Sequence, residues 1–208
     1  MFTGIVQGIA QVAQCQPIGR NMRLEVRFPV GVMADQQLGA SVAINGVCLT
    51  VAKIEGDYLS FDVIDTTLAL TNIGILNAGD TVNFERAAKM GDEVGGHVMS
   101  GHIMTTVTVS QVEKIEQSVH IRFQVNNHQD ERRYLFDKGY VGLNGASLTI
   151  SAIGDDWIEV SLIPETLRLT TFGTIKVGDK VNLEIDAHTQ ATVDTVERVL
   201  KQRGIVLP

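Results

Sequence analysis

Short runs in which apolar and polar residues alternate recur along the whole chain. The segments RLEVRF (23–28) and VHIRFQV (119–125) alternate with a period of two, which is typical of strands with one buried face. Turn signals such as Glu55-Gly56-Asp57 and Val177-Gly178-Asp179 separate these runs. With about six short strands in every hundred residues, the pattern predicts small antiparallel barrels, because closure removes exposed sheet edges.

The chain also repeats itself. NGVCLTV at 45–51 returns 99 residues later as NGASLTI at 144–150, and GDTVNFE at 79–85 returns as GDKVNLE at 178–184. The opening TGIVQG resembles SGHIMT at 100–105. Repeats in nearly constant register predict homologous domains. We expect a first domain over 1–97, a second over 98–186, and a helix with a tail over 187–208.

The tail has a different period. Between Thr189 and Arg203, Val193, Val196 and Leu200 follow the i, i+3, i+7 spacing of a helix. This apolar stripe packs either on a barrel or on its counterparts in an oligomer, and the sequence leaves both open. Gly204 is a stop signal, and Asp186 is a candidate N-cap.

Composition removes several classes of function. The 208 residues include 24 acidic and 17 basic side chains, for a net charge of −7, which argues against a nucleic-acid surface. We expect no membrane span and no signal peptide, since no apolar run is long enough and the N-terminus lacks the required regions. Cys15 and Cys48 make no disulfide framework, so a cytoplasmic location is expected. On a strand, His97 and His102 would face opposite sides, which argues against a metal pair.

Several long motifs resemble one known family. They are MFTGIVQG at the start, NGVCLTV, ERAAKMGDEVGGHVMSGHI at 85–103, NGASLTI, IPETLRLTTFG at 163–173 and EIDAHTQATVDTVERVL at 184–200. Together they extend over essentially the whole chain and are similar to riboflavin synthase of the alpha type. The resemblance implies two six-stranded Greek-key barrels and a C-terminal helix, assembled as a homotrimer.

The resemblance also implies a reaction. Two molecules of 6,7-dimethyl-8-ribityllumazine exchange a four-carbon unit, giving riboflavin and 5-amino-6-ribitylamino-uracil, with no metal or redox cofactor. The site lies between the first barrel of one subunit and the second barrel of a neighbour. Duplication then supplies two related pockets, and divergence makes them unequal. Cys48 against Ser147, Ile5 against His102 and Thr66 against Glu165 are such divergences.

The family match implies five catalytic residues, namely Cys48, His102, Ser147, Thr149 and Asp186. Taken alone, a cysteine is most often a small core residue. The resemblance implies instead that the Cys48 side chain faces the lumazine ring and acts as a nucleophile or a hydrogen-bonding group. His102 suits general acid–base work on the C7 methyl proton, although positioning of two reactants is an alternative source of rate. Asp186 binds the ribityl chain or assists catalysis.

A larger set is implied to bind substrate. Its members are Gly4, Ile5, Val6, Cys48, Leu49, Thr50, Asp62, Val63, Ile64, Asp65, Thr66, Thr67, Gly101, His102, Ile103, Lys138, Ser147, Leu148, Thr149, Ser161, Leu162, Ile163, Pro164, Glu165 and Thr166. Residues 62–67 belong to the pocket of the first barrel and 161–166 to that of the second, and Lys138 reaches across the subunit boundary. The first repeat departs from the family because Thr66 and Ala69 replace the glutamate and arginine kept at Glu165 and Arg168.

One rival function comes from the same family. Some relatives keep the fold and lose the reaction, and serve as lumazine- or flavin-binding antenna proteins. The catalytic residues distinguish the enzyme from the antenna protein. The motifs that contain them, NGVCLTV, SGHI and NGASLTI, are all present here. The enzyme is therefore favoured. An association with lumazine synthase, which the resemblance places one step earlier, is left open by the sequence.

Overall fold

A computed structural model describes residues 1–125 and 130–205 of the chain. Most of its regular secondary structure is antiparallel strand. The strands of the first half are β1 Gly8–Ile18, β2 Asn21–Arg27, β3 Ser41–Ile44, β4 Val47–Glu55, β5 Tyr58–Val63 and β6 Thr81–Arg86. Those of the second half are β7 Thr105–Ile115, β8 Ser118–Gln124, β9 Tyr140–Leu143, β10 Ala146–Ile153, β11 Trp157–Leu162 and β12 Lys180–Ile185.

Helices are few. Among the described residues there are three α-helices, α1 Asp65–Leu70, α2 Pro164–Leu169 and α3 Ala187–Gln202, and 3-10 turns cover Asn72–Ile75, Asp130–Tyr134 and Thr171–Thr174. Two of them, α1 and α2, occupy equivalent places in the two repeats, directly after β5 and β11. The sequence analysis did not predict them, because six residues are too few to show a helical period. In the described ranges, no helix has the length and apolar character that a membrane crossing requires.

The strands close into two barrels. In the first, the order around the barrel is β1-β2-β5-β4-β3-β6, and the second repeats it as β7-β8-β11-β10-β9-β12. β2 pairs with β5, whereas the chain itself runs from β2 to β3 by a long connection, as in a Greek key. The prediction of two tandem six-stranded antiparallel barrels followed by a helix is confirmed.

Irregularities in the pairing also repeat. In the first barrel the register shifts between Val12 and Gln14 in β1 and between Val51 and Lys53 in β4. Shifts at the corresponding points of β7 and β10 occur in the second barrel. Such bulges bend a strand and increase its twist, which a barrel of only six strands requires in order to close.

The alternation seen in the sequence fills the barrels. In β2, Leu24 and Val26 are fully buried, and in β8 so are Ile121 and Phe123. Successive side chains of a strand point to opposite faces, so one set enters the core and the other faces outward. Each barrel has its own apolar core.

The barrels meet at their two Asn-Gly turns. Asn45 and Gly46 have φ of 46° and 80°, and Asn144 and Gly145 have 44° and 83°, as two-residue hairpin turns with positive φ require. A Cβ on Gly46 would lie 2.6 Å from the nitrogen of Gly145. Only glycine lets the two turns pack backbone to backbone, which explains the first two letters of the repeated phrase.

A buried network of asparagines surrounds this contact. The amide of Asn182 donates to the carbonyl of Asn45 at 2.8 Å, and the amide of Asn83 donates to the carbonyl of Asn144 at 2.9 Å. Asn72 donates from its backbone to the side chain of Asn182 at 2.7 Å. Because each barrel supplies the partners of the other, the network fixes the orientation of one barrel on the other.

The C-terminal helix is anchored on the second barrel. Asp186 caps α3 through the Thr189 amide at 2.8 Å, as predicted. Val193 packs against the core of the second barrel, whereas Val196 and Val199 are 50% and 40% exposed. The stripe is therefore only partly used within one chain. The last residues of the predicted tail, 206–208, lie outside the described residues.

Candidate active site

Each barrel is completed by the other. Two leading segments, residues 3–6 and 100–103, run into β1 and β7 respectively. The carbonyl of Gly4 accepts a hydrogen bond from the amide of Ser147 at 2.8 Å, and the carbonyl of Gly101 accepts one from the amide of Cys48 at 3.0 Å. The residues that differ between the repeats, Cys48 and Ser147, therefore each lie against the leading segment of the opposite barrel.

Two buried glutamates hold the leading segments. Glu85 accepts from the amide and hydroxyl of Thr3 at 2.6 and 2.7 Å. Glu184 accepts from the amide and hydroxyl of Ser100 at 2.7 and 2.8 Å. Burial raises the pKa of both carboxyl groups, and the hydrogen bonds from the leading segments offset only part of that rise. Sequence reasoning missed both residues, although each ends a GDxVNxE motif.

A pocket lies beside Ser147, and we call it the second pocket. It is a cavity of about 210 Å³. Its walls come from the first leading segment, the start of β10 and α2. The residues around it are Gly4, Ile5, Val6, Ala146, Ser147, Leu148, Glu165, Thr166, Leu169 and Thr170. Seven of the predicted binding residues are thus brought together on it. A larger cavity, of about 260 Å³, lies at the asparagine network instead.

The equivalent surface beside Cys48 is the first pocket. Cys48 is half-buried, and a Cβ on Gly101 would lie 2.6 Å from its Cβ. On its inner side Cys48 packs against the cluster of Phe2, Ala43 and Met99. His102, next to Gly101, is exposed. The first pocket therefore combines a thiol with an imidazole, where the second has a hydroxyl and the aliphatic Ile5.

The threonines predicted beside these residues share the outward face. Thr50 and Thr149 lie two residues after Cys48 and Ser147 on β4 and β10, and both are exposed. Residues in strands at i and i+2 lie on one face. Each of these strands thus has two polar side chains on its outward face, and of the pair on β10 Ser147 lines the second pocket.

The segments predicted to line the pockets divide into outward and inward residues. Asp62 pairs with Arg23 at 2.8 Å, and the Ser161 hydroxyl lies 3.1 Å from Nδ1 of His120. Ile64 and Ile163, which precede α1 and α2, are 55% and 62% exposed. In contrast, the side chains of Leu49, Val63 and Leu162 are buried in the barrel cores.

Three further predicted residues of the first barrel lie at the start of α1, and Ile103 belongs to the second leading segment. Asp65 forms an ion pair with Arg20 at 2.9 Å. Thr66 is exposed, Thr67 is half-buried, and Ile103 packs against the first core. In the second barrel, Pro164 begins α2, and exposed Glu165 pairs with Arg168 at 2.6 Å.

His97 is a residue that the sequence analysis did not select. Its Nδ1 lies 2.6 Å from the Ser147 hydroxyl, and its side chain is only 8% exposed. Burial lowers the pKa of His97, against the opposing effect of Asp186. The assumption of a strand through 97–102 is wrong, because that segment is irregular apart from an isolated bridge at Met99. His97 and His102 consequently reach different pockets.

Two more predicted residues lie away from the pocket floors. Although partial burial raises it, hydrogen bonds from Thr189 bring the pKa of Asp186 below its usual value. The Lys138 side chain is 71% exposed, 3.8 Å from Asp137, and so is free to reach beyond the chain. Within 1–125 and 130–205, no group of three or more His, Cys, Asp or Glu side chains is placed to hold a metal ion.

Comparison with known proteins places both barrels in one family. A model of the lumazine binding domain matches residues 3–87 and again 100–186. Riboflavin synthase from Escherichia coli K12 is 48% identical over 98% of this chain and 95% of its own length. Riboflavin synthase from Buchnera aphidicola (subspecies Schizaphis graminum) is 44% identical over 97% of both chains.

Solved structures give the same fold. The crystal structure of LumP complexed with riboflavin superposes with a TM-score of 0.82 at 28% identity, covering 89% of this chain and 100% of the other. The crystal structure of LumP complexed with 6,7-dimethyl-8-(1'-D-ribityl) lumazine gives 0.80 at 27% identity, with 89% and 99% covered. The two-barrel arrangement is therefore shared with a protein crystallised with a lumazine.

Proposed function

The chain belongs to the riboflavin synthase family, and we propose that its two unlike pockets hold the two lumazine molecules that this reaction consumes. The enzyme transfers a four-carbon unit from one 6,7-dimethyl-8-ribityllumazine to another, yielding riboflavin and 5-amino-6-ribitylamino-uracil at the end of riboflavin biosynthesis. The observation that carries the proposal is the pair of related pockets, each completed by the opposite barrel's leading segment. Two copies of one substrate must adopt opposite roles, and a duplicated barrel supplies similar binding with different chemistry.

The first pocket is suited to proton transfer and addition. Cys48 supplies a thiol, either as nucleophile or as hydrogen-bonding group, and the exposed imidazole of His102 follows on the neighbouring segment. An imidazole can act as a general acid or a general base, so His102 can take or return a proton of the C7 methyl group. Both residues leave one face open to a ligand.

The second pocket is suited to binding and orientation. Ser147 and Thr149 provide hydroxyl groups on one strand, and Gly4 brings the main chain close to the cavity with a φ of 73°. Asp186 lies near His97, where its carboxylate can accept from a ribityl hydroxyl or assist catalysis. Holding two reactants in register accounts for a large share of the rate in such a reaction.

The assembly that brings the two pockets together is a homotrimer. In a single chain Val196 and Val199 on α3 leave an apolar stripe exposed, and Ile64 and Ile163, which precede α1 and α2, are exposed as well. Apposition of the first barrel of one subunit to the second barrel of its neighbour covers the pocket rims, and Lys138 reaches across.

Sedimentation of a Val196→Glu, Val199→Glu variant tests this, with Val112→Glu on β7 as control. A trimer that persists in the double variant contradicts the role of α3.

Compartment and partners complete the proposal. Both Cys15 and Cys48 are free thiols, which fits the reducing cytoplasm. A complex with lumazine synthase would supply the substrate directly, and co-sedimentation of the two purified proteins tests it.

The turnover assay tests the function itself. Purified protein is incubated with 6,7-dimethyl-8-ribityllumazine and no added cofactor, and riboflavin is followed by its absorbance. We expect two lumazines to disappear for each riboflavin formed. Binding of the lumazine without turnover would instead support a non-catalytic antenna protein.

A further inference from the structure

His97 is held rigidly against Ser147. Its Nδ1 lies 2.6 Å from the Ser147 oxygen. Its ring stacks on that of Tyr140, with 5.2 Å between centroids and 23° between planes. The stack fixes the plane of the imidazole, and the short distance fixes its rotation. The pair is a defined unit, and its serine lines the second pocket.

The backbone around Ser147 leaves the pair little freedom. A Cβ on Gly4, whose φ is 73°, would lie 2.5 Å from the Cβ of Ser147, and a Cβ on Gly96 would lie 2.6 Å from the same atom. Two glycines therefore allow main chain to pack on Ser147 from both sides. The Ser147 hydroxyl is left with His97 on one side and the pocket on the other.

The second nitrogen of the ring decides which atom carries the proton. Nε2 of His97 is buried by the chain's own atoms, and no described residue gives it a hydrogen-bond partner. A buried N–H without an acceptor costs more than a bare nitrogen lone pair, because donors are left unpaired less often than acceptors. A neutral imidazole carries one proton, and burial keeps His97 neutral by lowering its pKa. The proton therefore belongs on Nδ1.

We infer that His97 is a positioning residue that donates its Nδ1–H to the Ser147 oxygen, so that the Ser147 hydroxyl proton points into the second pocket. The inference rests on the proposed function for the identity of the ligand. A hydroxyl that accepts from a fixed donor has its own proton free for a ligand acceptor, such as a carbonyl or ring nitrogen of a lumazine. Among the described residues, no side chain holds the Cys48 sulfur in this way.

The tautomer can be observed without any turnover. Protein labelled with ¹⁵N-histidine gives long-range ¹H–¹⁵N spectra in which the proton-bearing nitrogen of each imidazole is identified. We expect His97 to carry its proton on Nδ1 at neutral pH, with Nε2 unprotonated. A proton on Nε2 would overturn the inference, since Ser147 would then donate to His97 and not to the ligand. This result does not depend on whether the protein makes riboflavin.

Two substitutions distinguish the contribution of the Nδ1–H donor from that of the rest of the His97 ring. In His97→Asn the side-chain amide takes the place of Nδ1, whereas in His97→Gln it takes that of Nε2. Because a hydrogen bond contributes modestly to binding, we expect kcat/KM for the lumazine to fall about tenfold in His97→Gln and by less than about threefold in His97→Asn. Thermal unfolding of each variant shows whether the fold is intact. Equal losses in two folded variants would contradict positioning by Nδ1.

A double-mutant cycle shows whether His97 acts through Ser147. Ser147→Ala removes the hydroxyl, so adding His97→Gln to it should change kcat/KM by less than about twofold. Full additivity would show that His97 acts independently of Ser147 and would overturn the inference. If wild-type protein forms no riboflavin, the proposed function fails, and the tautomer experiment alone decides on His97.

Discussion

The amide of Cys48 donates a hydrogen bond to the carbonyl oxygen of Gly101 at 3.0 Å, and this bond ties the second repeat to the pocket of the first. Its counterpart joins Ser147 to Gly4. Neither pocket is thus the property of a single barrel. Duplication produced two sites that are built in the same way, and the side chains that differ between repeats lie where the two halves of each site meet.

Gly101→Ala should damage the first pocket. Gly101 has a φ of 79°, and a Cβ there would lie 2.6 Å from that of Cys48. Strain and overlap together should lower the free energy of unfolding by about 2–4 kcal/mol and should also reduce turnover. Urea denaturation and the lumazine assay measure the two effects.

The matched control is Gly31→Ala. Gly31 has a φ of 78° but nothing within 4 Å of an added Cβ, so it should lose only about 1–2 kcal/mol, with turnover unchanged. If the two variants behave alike, contact with Cys48 is unimportant.

Glu184→Gln should alter the pH dependence of stability. Burial raises the pKa of folded Glu184 above the 4.5 of the unfolded chain, so the folded state binds the proton more tightly. Wild-type protein should therefore lose stability relative to the variant as pH rises from about 4.5 through the raised pKa. Urea denaturation of both proteins between about pH 4 and 7 measures the difference. If the wild-type protein instead gains stability relative to Glu184→Gln as the pH rises, this direction is contradicted.

Asn182→Ala should lower the free energy of unfolding, because it breaks the hydrogen-bond network that joins the two barrels. Asn182 is fully buried, donates to Asn45 and Asn72 at 2.8 and 2.9 Å, and accepts from the Asn72 backbone. Leaving these groups unpaired should cost about 3 kcal/mol of unfolding free energy. The exposed Asn77→Ala serves as control, with an expected change within about 0.5 kcal/mol. A loss in Asn182→Ala no larger than the control's would show that the network does not hold the barrels.

Cys48→Ser should reduce turnover while leaving the fold intact. The sulfur is replaced by a smaller, more polar oxygen at the wall of the first pocket, and we expect kcat to fall about tenfold or more, equivalent to about 1.4 kcal/mol. Cys15→Ser is the matched control, since Cys15 is also a half-buried free thiol but lies far along β1. Equal activity in both variants would show that Cys48 has no specific role in the reaction.

The sequence predicted the fold because the features that determine it are local. Alternation in 23–28 and 119–125, the Asn-Gly turns and the Asp186 cap each act over a few residues, and the repeat multiplied the signal. The buried partners Glu85 and Glu184 escaped prediction because their contacts join residues more than 80 apart. His97 escaped for the same reason: Ser147 lies 50 residues away, and the irregular segment that carries His97 has no period from which a face can be deduced.

The most direct test of the two-pocket account is a crystal structure of the protein with a lumazine analogue that cannot donate its four-carbon unit. The account predicts one ligand against Cys48 and residues 101–103 and a second against Ser147 and residues 4–6, the two facing each other across a subunit boundary. Ligands that touch only their own barrel, or that lie far apart with no neighbouring subunit between them, would contradict it.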